Sequence, residues 1–256
     1  ARHFFAELRR PDRTHIARRA TAHNNEIVCH KSTYDSAART PHQERNRRKT
    51  AARKPAGLVP RVAAKPDAMT PNPRTEKEKM LSGELYDPLD PQLAAERRRA
   101  RLLCKMLNDT GDDQQDERAR LLAELLPSAR SAPWIEPPFF CDYGSNIVMG
   151  EKVFLNFNCV ILDVAQVKIG SRVLIGPAVQ IYAATHPTDA AERATGLELG
   201  KPVEIGDDVW IGGGAIICPG IRIGSRCVIG AGSVVTKDIS GDVFAAGNPC
   251  RVIKAI

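Results

Sequence analysis

His186 stands alone between residues 75 and 256, because the other five histidines of the chain lie nearer the N-terminus. An imidazole has an ordinary pKa close to neutral pH, so it can take a proton from a reacting group and return it. A solitary histidine is more often structural than catalytic. His186, however, lies where a regular repeat gives way to a long loop, and we therefore interpret it as the leading candidate for a general base.

The cysteines argue against a metal knuckle or a disulfide framework. Seven are present, an odd number, and no Cys-x-x-Cys pair occurs. This usage favours a reducing, cytoplasmic setting. The sequence also contains no run of 18 apolar residues and no recognisable secretory signal, so we expect no membrane partner.

The element that must position His186 is a repeat. An aliphatic residue recurs every six positions, and glycine follows several of these residues. The downstream members are Ile205, Ile211, Ile217, Ile223, Ile229 and Val235; the upstream members are Met149, Leu155 and Ile161 and, after a two-residue shift, Ile169, Ile175 and Ile181. A fixed six-residue period fits neither a helix nor a simple alternating strand and is typical of a parallel β-helix.

The period has a direct physical reading. Each hexapeptide forms a short strand and a corner, and three of them close one triangular coil whose aliphatic side chain points inward. Ordinary sandwich strands with coincidental spacing are the alternative, and six consecutive matches argue against it. The repeat is interrupted between residues 182 and 203, and a long loop inside such a regular solenoid is often functional.

The chain before the repeat divides into two parts. Residues 1–74 hold 17 Lys or Arg and 6 Asp or Glu, and we interpret them as a basic, disordered extension. Residues 75–130 are predicted to form a small helical cap. Its first helix opens with a capping box at Thr75, the second follows Asp90-Pro91 and runs to about Leu107, and the third ends at Pro127. Residues 131–256 then form the β-helix domain, with an inserted loop at 182–203.

Several short motifs occur in order along residues 75–256. They are Thr75-Glu76-Lys77-Glu78-Lys79-Met80, Ser82-Gly83-Glu84-Leu85-Tyr86, Cys141-Asp142-Tyr143-Gly144, Asn156-Phe157-Asn158, Ala184-Thr185-His186-Pro187, Val209-Trp210-Ile211-Gly212-Gly213, Val234-Val235-Thr236-Lys237-Asp238 and Gly247-Asn248-Pro249. Each is weak alone, but together they are specific. The chain resembles the maltose, galactoside and nodulation-type sugar O-acetyltransferases of the hexapeptide-repeat superfamily, most closely the maltose acetyltransferases.

The resemblance implies a fold and an activity. The fold is a left-handed parallel β-helix of hexapeptide repeats with a small N-terminal helical cap, assembled as a homotrimer with its active sites between subunits. The activity is transfer of an acetyl group from acetyl-CoA to a hydroxyl of a maltose- or glucose-like sugar. His186 matches the catalytic histidine, and a backbone N–H between Trp210 and Gly213 is expected to stabilise the oxyanion.

The resemblance also assigns the sugar-binding residues. Asp142, Asn156 and Glu198 match positions that line the acceptor pocket, and we expect Asp163 to take a related role. The alternative for Asp142 and Asn156 is a turn residue that bonds its own backbone, and the alternative for Glu198 is a solvated loop charge.

Two positions depart from the galactoside pattern. Phe154 and Val164 stand where galactoside-using relatives carry a tyrosine and an aspartate, which argues against a galactoside preference.

A second set of residues matches contacts to CoA in the family. These are Trp210, Gly213, Ala231, Thr236, Lys237, Arg251 and Lys254. We expect Lys237, Arg251 and Lys254 to pair with the CoA phosphates. The alternatives are an ordinary charged C-terminus for Arg251 and Lys254, and a simple covering role for Trp210. No metal is expected to take part.

Three other functions are weaker. A γ-type carbonic anhydrase needs three histidine ligands for zinc, and residues 75–256 supply one. A hexapeptide acyltransferase acting on an amino sugar or serine fits the fold, but the cap and the loop around His186 argue against it. A non-catalytic β-helix scaffold with a nucleic-acid-binding tail predicts salt-sensitive binding through residues 1–74 and no turnover of acetyl-CoA.

Overall fold

The structure, a computed structural model, describes residues 74–256. The disordered extension predicted for residues 1–74 therefore lies outside the described residues, apart from Arg74. Three helices come first: α1 (Glu76–Leu81), α2 (Pro91–Asn108) and α3 (Gln115–Leu125). The predicted capping box at Thr75 and the N-cap at Asp90 are both confirmed. No helix among residues 74–256 combines the length and the apolar character that crossing a membrane would require.

The strands after the cap form a prism with three faces. The first face contains β1 (Trp134–Ile135), β4 (Phe154–Leu155), β7 (Leu174–Ile175), β12 (Trp210–Ile211), β15 (Val228–Ile229), β17 (Val243–Ala246) and β18 (Arg251–Ala255). The second contains β2 (Phe139–Cys141), β5 (Cys159–Leu162), β8 (Gln180–Tyr182), β13 (Ile216–Ile217) and β16 (Val234–Val235). The third contains β3 (Ile147–Met149), β6 (Val167–Ile169), β11 (Val203–Ile205) and β14 (Arg222–Ile223).

The repeated aliphatic residues fill the prism. On the third face the register aligns Met149 with Ile169, Ile169 with Ile205 and Ile205 with Ile223, all in parallel strands. Each of these side chains is at most 2% exposed. Stacking equivalent residues of successive coils gives one continuous apolar column, which a single coil alone could not bury. The predicted parallel β-helix with a helical cap is confirmed.

One corner of the prism carries all the extra residues. We call the turns between the second and third faces the insertion corner; it comprises residues 142–146, 163–166, 183–202, 218–221 and 236–238. The two-residue shift of the repeat falls here, because inward-facing residues on either side of this corner are eight positions apart instead of six: Cys141 and Met149 in the first coil, and Ile161 and Ile169 in the next. The long loop leaves at the same corner in the next coil. The irregularities of the sequence thus converge on one edge of the molecule.

The helical cap covers the first coil next to this corner. Helix α2 packs on β2, where the Cys104 and Cys141 sulfur atoms lie 3.7 Å apart. The Asn108 amide group donates to the Phe139 carbonyl at 3.0 Å and accepts from the Phe139 N–H at 2.8 Å. The amide thereby continues the strand's hydrogen bonding into the helix and fixes the position of α2 on the prism.

Candidate active site

His186 lies at the start of the loop that interrupts the repeat. The preceding strand, β9 (Ala184–Thr185), pairs in antiparallel fashion with β10 (Leu199–Gly200), and a short helix, α4 (Ala190–Arg193), lies between them. The Lys201 N–H also donates to the Ala183 carbonyl at 2.8 Å. This ladder fixes the base of the loop, while the His186 side chain is exposed in the single chain. His186 is therefore held at a defined position, and its imidazole is accessible to a ligand or to a partner chain.

The cap anchors the returning arm of the loop through Tyr86. The Tyr86 and Glu198 backbones exchange hydrogen bonds of 3.0 and 3.1 Å, and the Tyr86 hydroxyl donates to the Glu198 carboxylate at 2.9 Å. Burial, and then the neighbouring Glu198 charge, raise the pKa of Tyr86 above its ordinary value, so the phenol remains a donor. Glu198 is thus an oriented carboxylate rather than a freely solvated loop charge.

Asp163 has a different place from the sugar contact that the sequence suggested. It is completely buried, and its carboxylate accepts backbone N–H bonds from Asp142 at 3.0 Å, Tyr143 at 2.9 Å and Asn146 at 3.3 Å. A side chain that is sealed off and occupied in this way has no surface to offer a sugar. The assignment of Asp163 as a substrate contact is therefore wrong, and the residue instead holds the turn that presents Asp142.

Asp142 is the half-buried carboxylate that this turn presents at the insertion corner. Burial is the main cause that raises the pKa of Asp142, and nearby Arg101 and Arg97 oppose the shift. Glu198 lies close enough to raise this pKa further. The carboxylates of Asp142 and Glu198 and the loop that carries His186 therefore lie at the same corner. This arrangement suits a pocket for a ligand with several hydroxyl groups.

The sequence reasoning did not identify Arg97 and Tyr143 as part of this corner. Arg97 donates to the Tyr143 hydroxyl at 2.7 Å, lies over the Tyr143 ring at 5.8 Å from its centroid and also donates to the Pro88 carbonyl. These contacts join the cap to the prism. Tyr143 belongs to the Cys141–Gly144 motif, but its partner Arg97 lies 46 positions away in the sequence. No pattern in either segment indicates that the two residues meet.

A second group of candidate residues lies at another corner. We call the turns between the first and second faces the glycine corner; it includes residues 156–158, 176–179, 212–215 and 230–233. Asn156, Gly213 and Ala231 lie there, and Trp210 lies on the adjoining first face with 55% of its surface exposed. Asn156 accepts from the Phe157 N–H at 2.8 Å, so its side chain closes the turn and retains its amide donors.

The glycine corner offers free backbone donors. Within residues 74–256, the N–H groups of Gly213 and Ala231 have no hydrogen-bond acceptor, whereas the adjacent Gly212 and Gly232 N–H groups are both bonded. A Cβ atom on Gly212 would lie 2.5 Å from the Ala231 nitrogen, so the close stacking of these turns requires glycine. Successive coils thereby present a row of donors suited to carbonyl oxygens or an oxyanion.

The basic candidates are divided between two places. Thr236 and Lys237 are exposed at the insertion corner of a later coil. Arg251 and Lys254 lie on β18, which pairs with β17 at the end of the first face. All four side chains are accessible to an anionic ligand.

The candidate residues therefore lie in two separate sets, which we call the half-sites. The insertion corner holds His186, Asp142 and Glu198, together with Thr236 and Lys237. The glycine corner and the first face hold Asn156, Trp210, Gly213 and Ala231, together with Arg251 and Lys254. The fold does not bring these two sets together within the chain.

Comparison with known protein families decides the identity of this arrangement. Residues 79–130 match a model described as the maltose acetyltransferase hexapeptide capping motif, and residues 202–237 match one described as the bacterial transferase hexapeptide with six repeats. Nodulation protein L of Rhizobium meliloti strain 1021 is 51% identical over 179 residues, which cover 70% of this chain and 98% of that protein.

The chain belongs to the hexapeptide-repeat acetyltransferases.

Solved members of this acetyltransferase family agree with the fold. A maltose O-acetyltransferase from Clostridium difficile 630 superimposes with a TM-score of 0.70 at 51% identity, covering 72% of this chain and 99% of that one. A galactoside acetyltransferase solved in complex with coenzyme A gives a TM-score of 0.69 at 39% identity, covering 72% and 92%. The family resemblance read from the motifs is confirmed, and the acetyltransferase described here contains both the capping motif and the repeat.

Proposed function

We propose that this acetyltransferase moves an acetyl group from acetyl-CoA to a hydroxyl of a maltose- or glucose-like sugar, with His186 as the general base. The observation that carries the proposal is the presence of His186 and of two carboxylates, Asp142 and Glu198, at the one corner where the insertions of the repeat converge. Two of the solved relatives are named as a maltose O-acetyltransferase and a galactoside acetyltransferase, and the second was solved with coenzyme A.

The proposed reaction is a direct transfer in a ternary complex. His186 removes the proton from the sugar hydroxyl as its oxygen attacks the thioester carbonyl carbon. The tetrahedral intermediate then collapses, the carbon–sulfur bond breaks, and the CoA sulfur leaves with the proton that His186 had taken. Holding both substrates in one cleft supplies the orientation, so no covalent enzyme intermediate is needed.

The oxyanion of this intermediate needs donors that are already in place. The unpaired N–H of Gly213 suits this role, because its donor is not used within the prism. A fixed backbone donor requires no reorganisation when charge develops, which is the reason such groups lower the barrier. The unpaired N–H of Ala231, one coil away, is suited to a carbonyl of the pantetheine arm.

The acceptor pocket is proposed to form around Asp142, Glu198 and Asn156. Carboxylates accept hydrogen bonds from sugar hydroxyls, and the free Asn156 amide group donates to them. Val164 is only 4% exposed and packs with Tyr86 and Tyr143, so it offers the sugar no polar atom. This environment supports a maltose- or glucose-like acceptor over a galactoside.

The CoA site is proposed to use Trp210, Gly213 and Ala231 along the coils, with Thr236, Lys237, Arg251 and Lys254 toward the nucleotide end. Lysine and arginine side chains that are exposed in the single chain can move to meet phosphate groups. The extended pantetheine would lie along the glycine corner, where successive turns present their N–H groups in a row.

The two half-sites support a homotrimer. If three prisms pack side by side, the insertion corner of one subunit faces the glycine corner of the next, and each interface then completes one active site. The exposed Trp210 and Leu174 on the first face provide apolar surface for such packing.

A panel assay tests the proposed activity. Purified full-length protein is incubated with acetyl-CoA and, separately, glucose, maltose, a galactoside, an amino sugar or serine, and the released CoA thiol is measured. We expect turnover with glucose or maltose well above that with the galactoside. Turnover confined to serine, or no acetyl-CoA-dependent reaction with any sugar, would contradict the proposal.

A further inference from the structure

A groove of about 560 Å³ runs along the cap beside the candidate acceptor pocket. Its wall on the cap side is formed by α2, through Arg101, Cys104 and Lys105. Its other wall is formed by the start of the second face, through Phe140 and Leu162. Asp142 lies at the boundary, so one carboxylate borders both this groove and the insertion corner.

The groove has the chemistry of a carbohydrate site. Phe140 is 48% exposed, because its side chain points outward from the strand while those of Phe139 and Cys141 point inward. An exposed aromatic face can pack against the apolar face of a sugar ring, while the ring's hydroxyl groups need donors and acceptors around its edge. Arg101, an exposed residue of α2 that lines the groove, supplies such donors.

The other polar groups of the groove are already engaged. The Asn108 amide is bonded on both sides to Phe139, and Lys105 pairs with Asp109. Among the groove residues, the Arg101 and Asp142 side chains have no hydrogen-bond or ion-pair partner within the part of the chain that the structure describes. Arg101 lies near enough to Asp142 to oppose the rise that burial causes in its pKa, so a cation and a carboxylate border the groove together with Phe140. This combination suits a pyranose ring better than a long apolar chain, which would need no cation beside it.

We propose that this groove is a second-sugar subsite, which rests on the acetyltransferase activity proposed above. The sugar unit that receives the acetyl group lies at the insertion corner next to Asp142. The adjoining unit lies in the groove, where it packs on Phe140 and accepts hydrogen bonds from Arg101. The enzyme therefore prefers acceptors of two or more sugar units over single sugars.

The test compares kcat/KM for maltose with kcat/KM for glucose in the full-length protein. Wild type should favour maltose. Phe140→Ala should lower kcat/KM for maltose about tenfold and leave that for glucose within about twofold, because only the disaccharide reaches the groove. Arg101→Ala should lower the maltose-to-glucose ratio in the same direction.

Two variants on the same helix provide matched controls. Arg98 is an exposed cation of α2 that does not line the groove, and Leu102 is an exposed apolar residue of α2 outside it. Arg98→Ala and Leu102→Ala should leave the maltose-to-glucose ratio unchanged. Maltose binding to His186→Ala, measured by calorimetry with and without Phe140→Ala, tests the subsite independently of turnover.

The outcomes separate this inference from the proposed function. If wild type acetylates glucose and maltose with equal kcat/KM, and Phe140→Ala leaves the maltose-to-glucose ratio unchanged, the subsite is contradicted while the proposed activity stands. Equal effects of Phe140→Ala on both sugars also overturn the subsite, because Phe140 would then act on the acetylated unit that both sugars share rather than on an adjoining one. A wild type that acetylates no sugar overturns the proposed function and the subsite with it.

Discussion

Asp163 is a buried carboxylate that supports the proposed acceptor pocket from inside the prism. Its oxygens hold the backbone of Asp142, Tyr143 and Asn146, and burial raises its pKa from about 4 to about 6. The sequence could not reveal this, because Asp142 and Asp163 both lie at a corner of the prism, where the regular alternation of inward and outward side chains ends. Only the stacking of one coil on the next places Asp163 inside and Asp142 at the surface.

The raised pKa of Asp163 predicts a pH-dependent effect of Asp163→Asn on stability. The folded chain binds this proton more tightly than the unfolded chain, so the contribution of Asp163 to the free energy of unfolding falls as pH rises from about 4 to 6. Asparagine stands in for the protonated acid and has no such dependence. The free energy of unfolding of the variant, relative to wild type, should therefore rise by roughly 2–3 kcal/mol over that interval.

Denaturant unfolding of both proteins at pH 4, 5, 6 and 7 measures this difference. Asp142 lies close enough to raise the pKa of Asp163, so Asp142→Asn should shift the same transition toward lower pH. A difference between Asp163→Asn and wild type that is the same at every pH would show that Asp163 does not titrate as described.

At the scale of elements, the sequence predicts the repeat but not the contacts that hold the inserted loop against the cap. The six-residue period is local, so it predicted the buried column and the position of the interruption. The helices of the cap were readable for the same reason, through the caps at Thr75 and Asp90. The Tyr86–Glu198 contact joins residues 112 positions apart, and nothing in either segment specifies the other.

The anchoring of the loop predicts the effect of Tyr86→Phe. The ring keeps its packing in the buried cluster with Met80 and Leu93, but the hydroxyl that orients Glu198 is lost. We expect KM for the sugar to rise about three- to tenfold, because a hydrogen bond to a charged group contributes roughly 1.5–3 kcal/mol and only part of it reaches the ligand.

Steady-state kinetics with the sugar and acetyl-CoA varied separately measure this change. KM for acetyl-CoA should remain as in wild type. Tyr182→Phe is the control, because Tyr182 lies on the second face and its hydroxyl bonds Gln180 rather than the loop. An unchanged KM for the sugar in Tyr86→Phe would contradict the placement of Glu198 in the acceptor pocket.

At the scale of the whole molecule, the half-sites explain why sequence motifs alone give an incomplete picture of the active site. The motifs identify candidate residues of both half-sites. Their order along the chain does not show whether one chain or two neighbouring chains bring the half-sites together. The prism geometry separates the halves by one face. Assembly is therefore part of the catalytic proposal rather than an addition to it.

Complementation between inactive chains tests this assembly. His186→Ala disables the insertion corner and Asn156→Ala the glycine corner, so each protein alone should be nearly inactive. Refolding an equal mixture should restore about a quarter of wild-type activity, because one interface in four then joins an intact corner of each kind. Mixtures that stay inactive, although mixed trimers form, would place both residues in one subunit's site.

The central claim is that His186 removes the proton from the acceptor hydroxyl, and the most direct measurement compares wild type with His186→Ala. We expect kcat for acetyl transfer to the sugar to fall about 10²- to 10⁴-fold, with the Kd for CoA unchanged and part of the rate recovered when free imidazole is added. Equal turnover in the two proteins would contradict the account.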